Sequence, residues 1–182
     1  MHILVWDLEI ADPIQNNDWN AAKRGENGIS SLVVYDSVTE RYHLYDDFTI
    51  DRAAEHLNSA DLLVGFNSLE FDTACFQGYT GTVLTPPQFD ILQSVWEALG
   101  NKRTKGWRLD DICQRTLGEG KIGSGKGAPR LYSEGRFGEL FDYNLHDVYL
   151  TRKLYNHIVY FGTLIAPSGK ELQLINYPDE RA

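Results

Sequence analysis

Two carboxylates two residues apart, Asp7 and Glu9, close the apolar run Ile3-Leu4-Val5-Trp6. A run of this kind, β-branched and aromatic, predicts a strand buried on both faces in the middle of a sheet. Side chains alternate across a strand, so Asp7 and Glu9 share one side and Leu8 points away. Two acids held side by side repel, and a chain tolerates that chiefly where a cation bridges them. A third acid, Asp72, stands just inside the helix expected after the Asp61–Gly65 strand, where it either caps the helix or joins the cluster. A fourth, Asp147, follows Tyr143 by four residues on a long late helix, a spacing that stacks phenol and carboxylate on one face within reach of a common ligand. Tyr42 and Asp46 repeat that spacing on a hairpin strand where no acids converge, and are set aside.

The elements that must position these residues read as an α/β domain. Ser31 to Tyr35 and Arg41 to Tyr45 are strand-like runs joined by a turn, and with the first strand they predict a three-stranded antiparallel meander. Asp61 to Gly65 is a short buried strand, expected parallel to the first, and Gln88 to Asp90 a short last one. Helices are expected from Asp51 to Asn58, from about Asp72 to Tyr79, from Ile91 to Leu99, from Leu109 to Leu117 and from about Phe137 to Tyr160. Asp12 to Gly28 reads as a loop with one helical turn around Trp19 to Arg24, bordering Glu9, where it either gates the site or contacts a partner. Glu119 to Gly135, with five Gly and one Pro, reads as a flexible basic loop, and the tail from 163 to 175 as a terminal hairpin. The whole, 1–182, is expected to be one domain.

The order and spacing of Asp7-Leu8-Glu9, of Gly65-Phe66-Asn67 leading through Phe71-Asp72 into a helix, and of Tyr143-x-x-x-Asp147 resemble the three motifs of the DEDD superfamily of 3′–5′ exonucleases, which share a ribonuclease-H-like fold. The Tyr-x-x-x-Asp form is similar to the DEDDy branch, which includes the proofreading domains of family B DNA polymerases. The DEDDh branch places a His five residues before the last Asp, where this chain has Asp142. Ala128-Pro129-Arg130-Leu131-Tyr132 and Gly138-Glu139-Leu140-Phe141-Asp142-Tyr143 also resemble stand-alone members of the branch. The resemblance implies a mixed sheet flanked by helices, two divalent cations held by Asp7, Glu9, Asp72 and Asp147, and a water oriented by Tyr143.

Physical chemistry agrees with what the resemblance implies. Hydrolysis of a phosphodiester needs a hydroxide near neutral pH and compensation of charge on the attacking and leaving oxygens, and two hard cations supply both. Four carboxylates with no Cys or His among them suit Mg²⁺ or Mn²⁺ and do not suit zinc. A Tyr with an ordinary pKa near 10 is a poor base, so its expected task is to aim a water.

An acid cluster does not attract DNA, so phosphate contacts must come from elsewhere. The formal charge is −9, yet nine of the seventeen basic residues lie between Lys102 and Arg136 against four acids, leaving that window at +5. Lys121, Lys126 and Arg130 are the expected phosphate contacts, with solvated surface charge as the alternative. Leu8 and Phe66 either touch the terminal base or sugar or lie in the core, and Asn67 either bonds a phosphate or caps a helix. The expected substrate is the 3′ end of a nucleic acid, single-stranded DNA before RNA, with a polymerase or helicase as a possible separate partner chain.

Other chemistries fit less well. Gly120 to Lys126 has the spacing of a phosphate-binding loop, but Gly127 occupies the Ser/Thr position, a helix precedes and Pro129 follows, which argues against nucleoside triphosphate hydrolysis. His2, His43, His56 and His157 show no ligand spacing and read as structural or exposed. His146 adjoins Asp147, which suits a core or supporting role. Two cysteines argue for neither a disulfide framework nor a structural zinc. No apolar run approaches ~18 residues and no signal segment opens the chain, so no membrane partner is expected and the protein is read as cytoplasmic. A ribonuclease or structure-specific endonuclease on the same site is the nearest rival. A non-catalytic nucleic-acid-binding accessory module is the more distant one, since binding alone has no need of four converging carboxylates.

Overall fold

In the computed structural model, which describes residues 1–120 and 127–178, the centre is β1 (Ile3–Ile10). It pairs antiparallel with β2 (Ile29–Asp36), which pairs antiparallel with β3 (Arg41–Asp46). On its other side β1 pairs parallel with β4 (Leu62–Gly65), and β4 pairs parallel with β5 (Gln88–Asp90). The five-stranded mixed sheet therefore runs β3-β2-β1-β4-β5. The predicted meander and both parallel strands are present, and β1 extends past its apolar run far enough to include Asp7 and Glu9. The β1–β2 register shifts between Glu9 and Ile10, a bulge that ends regular pairing just beyond the two acids.

Alternation along β1 builds two core layers. Ile3 and Val5 face one layer with Val64, Val148, Leu154 and Ile158; Leu4, Trp6 and Leu8 face the other with Leu57, Cys75 and Phe76. Helix α7 (Phe137–Phe161) covers the first face, with Leu140, Val148, Leu150 and Leu154 fully buried, and ends at Gly162 in the left-handed region. The second face is covered by α2 (Ile50–Asn58) and α3 (Asp72–Thr80). The short α1 (Trp19–Lys23) packs on α3, capped by Asp18 Oδ1, which accepts from the N–H groups of Asn20 and Ala21. Gly25 and Gly78 permit this approach, since a Cβ on either would collide with the other segment's backbone.

Further helices are α4 (Ile91–Ala98) and α5 (Leu109–Leu117), near their expected ranges. The predicted loop from Glu119 to Gly135 is corrected in part: α6 (Ala128–Ser133) occupies its second half, with Pro129 in the first turn. Proline breaks helix interiors but is tolerated in a first turn, where its missing N–H is not needed. Tyr132 Oη donates to Asp47 Oδ2 at 2.7 Å and Ala128 is buried, so the segment is held by tertiary contacts. A two-stranded antiparallel hairpin, β6 (Thr163–Ile165) with β7 (Glu171–Gln173), follows α7 as expected. Among the described residues no helix is long and apolar enough to cross a membrane.

Candidate metal centre

Asp7 and Glu9 project from β1 on the side covered by α7, and α7 brings Asp147 to meet them. One carboxylate oxygen from each of the three lies within 4.8 Å of the others. Asp147 is buried, while Asp7 and Glu9 are half-buried. Three carboxylate oxygens in this space repel when ionised, and a divalent cation with oxygen-ligand preference relieves that repulsion. The donor set fits Mg²⁺ or Mn²⁺, being all carboxylate.

Asp72, the first residue of α3, lies beside this group rather than within it. Its Oδ1 accepts the backbone N–H of Leu8 at 3.4 Å, tying the helix start to the strand between Asp7 and Glu9. Burial lifts the Asp72 carboxyl to about 7, opposed by the N–H groups of Leu8 and Asp72 and reinforced by the charges of Asp90 and Asp147. Asp72 is thus a fourth carboxyl at this end of the sheet, kept from ionising first by burial and then by the neighbouring charges of Asp90 and Asp147.

Tyr143 is half-buried, one turn before Asp147 on α7. It lines a cleft of about 610 Å³ together with Arg130, Leu131, Arg136 and His146. Arg130, expected on a flexible loop, is thus an exposed residue of α6 in the same cleft as Tyr143, 3.9 Å from Glu134. Arg136 is engaged by Glu139 at 2.6 Å and Glu134 at 2.9 Å. Lys121 and Lys126 lie outside the described residues.

The expected apolar contacts divide. Leu8 is 4% exposed and packs in the core layer on the far side of the sheet, so its side chain presents almost no surface to a base. Strand alternation dictates this: whatever puts Asp7 and Glu9 on one side puts Leu8 on the other. Phe66 is half-buried against the first core layer. Asn67 takes a left-handed backbone, φ 63°, and lines a second cleft of about 430 Å³ with Leu69, Trp96 and Arg103. The set-aside pair has structural work: Arg152 packs its guanidinium over Tyr35 and Tyr42, and Asp46 caps the turn into α2 by accepting from Thr49 Oγ1 at 2.6 Å.

Two supporting residues escaped the sequence. Asn144 is fully buried and donates from Nδ2 to Asp7 Oδ2 at 3.1 Å. Its signal was present as a polar stripe, Asn144, Asp147 and Thr151, at helical spacing on the face of α7 that otherwise carries core residues. Asp90, at the junction of β5 and α4, caps α4 through Leu92 and Gln93 and also accepts the N–H groups of Asn67 and Leu69 at 2.9 and 3.0 Å. Burial raises its pKa against those four bonds. Asp90 thereby fixes the β4–α3 turn that delivers Asp72. Gly65 opens that turn because a Cβ there would strike the Ser68 side chain.

A five-stranded mixed sheet with an antiparallel meander, two parallel strands and flanking helices is an α/β fold consistent with the ribonuclease-H-like class. A solved structure with this fold is the family B DNA polymerase from the hyperthermophilic archaeon Pyrobaculum calidifontis, which matches with a TM-score of 0.66 at 16% sequence identity. The match covers 87% of this chain and 24% of the polymerase, so the chain spans about a quarter of that protein's length, and the likeness is one of fold. No protein-family profile matches the chain, and no curated protein matches its sequence.

Proposed function

We propose that this chain is a divalent-metal-dependent 3′–5′ exonuclease of the DEDDy type, hydrolysing phosphodiester bonds at the 3′ end of DNA with single strands preferred. The observation that carries the reading is the convergence of Asp7, Glu9 and Asp147 within 4.8 Å, with Tyr143 one helical turn away. Similarity of fold to a DNA polymerase supports a nucleic-acid substrate; the polarity follows from the motif resemblance.

Asp7, Glu9 and Asp147, with Asp72 beside them, would hold two Mg²⁺ or Mn²⁺ ions. Such ions, when bound, acidify water and offset charge on the phosphate undergoing substitution. The chain's own residues do the rest. Asn144 holds Asp7 in one rotamer, so the acid meets its ligand already oriented. Tyr143 accepts or donates a hydrogen bond at the attacking water and sets its line of approach. Arg130 stands in the cleft where the strand's phosphates would run.

The test is digestion of a 5′-labelled single-stranded DNA oligonucleotide with Mg²⁺, Mn²⁺ or EDTA, beside an Asp7→Ala variant and a 3′-phosphate-blocked substrate. A metal-dependent ladder shortening from the free 3′ end, absent with Asp7→Ala, is expected. Intact DNA and RNA in every lane would overturn the reading.

A further inference from the structure

A second convergence of ligand-type side chains lies away from the acids. His2 precedes β1, about 17 Å along the strand from Asp7 at ~3.3 Å per residue, and Asp36 closes β2 beside it. Helix α2 contributes His56, and β3 contributes His43. Strand parity puts His2, Asp36 and His43 on the sheet face covered by α2, opposite the face that carries Asp7 and Glu9.

The geometry is convergent at atom level. His2 Nε2 is 3.0 Å from Asp36 Oδ1, His56 Nε2 is 3.7 Å from Asp36 Oδ2, and one ligand atom from each of the three residues lies within 4.8 Å of the others. His43 Nε2 stands 3.9 Å from Asp36 Oδ2, with its ring edge-on to His56 at 4.7 Å. Asp36 is 5% exposed.

The far nitrogens are engaged in the manner of metal-binding imidazoles. His2 Nδ1 is 3.2 Å from the Ser59 carbonyl oxygen, which can only accept, so Nδ1 carries the proton. Nε2 is then the nitrogen turned towards Asp36, 3.0 Å from its Oδ1, where a proton or a metal ion joins the two. His56 Nδ1 is 2.9 Å from Tyr45 Oη, which fixes that ring as well. Backbone bonds pin the frame, with His2 N–H donating to Asp61 Oδ2 at 2.6 Å and Val38 N–H to Asp36 Oδ1 at 2.8 Å.

We propose that His2, Asp36 and His56 form a second metal site that takes a zinc-type divalent transition ion, with His43 at its open side. Two imidazoles and a carboxylate are a donor set for zinc, cobalt or nickel, in contrast to the all-oxygen acid cluster. The ion would tie the start of β1, the β2–β3 hairpin and α2 together, a structural staple independent of the proposed nuclease activity.

The test is titration of the untagged full chain with Co²⁺, read by visible absorption, and with Zn²⁺, read by thermal unfolding. Both are run in an Asp7→Ala background that weakens ion binding at the acids. Expected are the intense absorption bands of four-coordinate, nitrogen-ligated cobalt at stoichiometric ion, their displacement by Zn²⁺, and a rise in Tm of roughly 5 °C with Zn²⁺. Bands and shift should vanish in His56→Gln. They should vanish too in His2→Gln, whose side chain is 23% exposed and whose loss leaves the core intact should His56→Gln fail to fold. Absence of the bands in the parent, or their persistence in His2→Gln, would overturn the proposal and leave a charge network around Asp36.

Discussion

Asn144 Nδ2 donates to Asp7 Oδ2 at 3.1 Å, joining the middle of α7 to the end of β1 at the point where the acids converge. The amide is fully buried and has no route to solvent, so its contribution is to the rotamer of Asp7. Asn144→Ala should lower nuclease activity about 10–100-fold and raise the Mn²⁺ concentration needed for half-maximal rate. A metal titration of initial rate checks this. Unchanged half-saturation would show that Asp7 is oriented by other means.

Tyr143 is expected to act on the water rather than on the fold. Tyr143→Phe should reduce kcat about 10–100-fold with little change in KM or in Tm, because a half-buried ring is kept and one hydroxyl is lost. Steady-state kinetics beside a thermal melt separate the two. A change confined to KM would assign the phenol to substrate binding.

Asp72 gives a pH dependence whose sign is set by burial. Its folded pKa, about 7, is above the ordinary value of 3.8, so between those values the folded state binds more protons than the unfolded one. The metal-free chain therefore loses stability from this group as pH rises from about 4 to about 7. The cost is at most a few kcal/mol, at roughly 1.4 kcal/mol per unit. Asp72→Asn should gain on the parent progressively across that window and hold a constant lead above it. Urea unfolding at a series of pH values in EDTA measures the difference; a pH-independent difference would contradict the assignment.

Asp90 is expected to matter through geometry alone. Asp90→Ala leaves the N–H groups of Asn67, Leu69, Leu92 and Gln93 without their acceptor and should cost about 2–4 kcal/mol, more than an ordinary helix cap. Asp90→Asn, which keeps one acceptor oxygen, should cost less. Chemical denaturation of the two variants decides the order.

Arg130 tests the path of the nucleic acid. Arg130→Ala should weaken DNA binding without sequence dependence and reduce the slope of log K against log salt by about 1, with kcat at saturating DNA unchanged. Fluorescence anisotropy at several salt concentrations is sufficient, and an unaltered slope would place the strand elsewhere.

What the sequence by itself determined was local or periodic. Strand alternation alone put Asp7 and Glu9 on one side and Leu8 on the other, and apolar runs separated by turn residues predicted the meander and both parallel strands. The helix carrying Tyr143 and Asp147 was legible from its length of amphipathic pattern. Helix α6 was not, because proline and glycine read as breakers until the contacts of Ala128 and Tyr132 show what holds the segment.

The tertiary structure alone decided which distant residues meet. Asn144 reaches Asp7 only because α7 crosses β1, and Asp90 reaches the turn before Asp72 only because β5 pairs with β4. The histidines show the same limit: His2, His43 and His56 have no ligand spacing, yet the pairing of three strands and the seating of α2 bring them to Asp36. Sequence periodicity reports which face a residue takes. Which faces then meet is set by packing of the whole chain, and that information is carried by no short stretch of it.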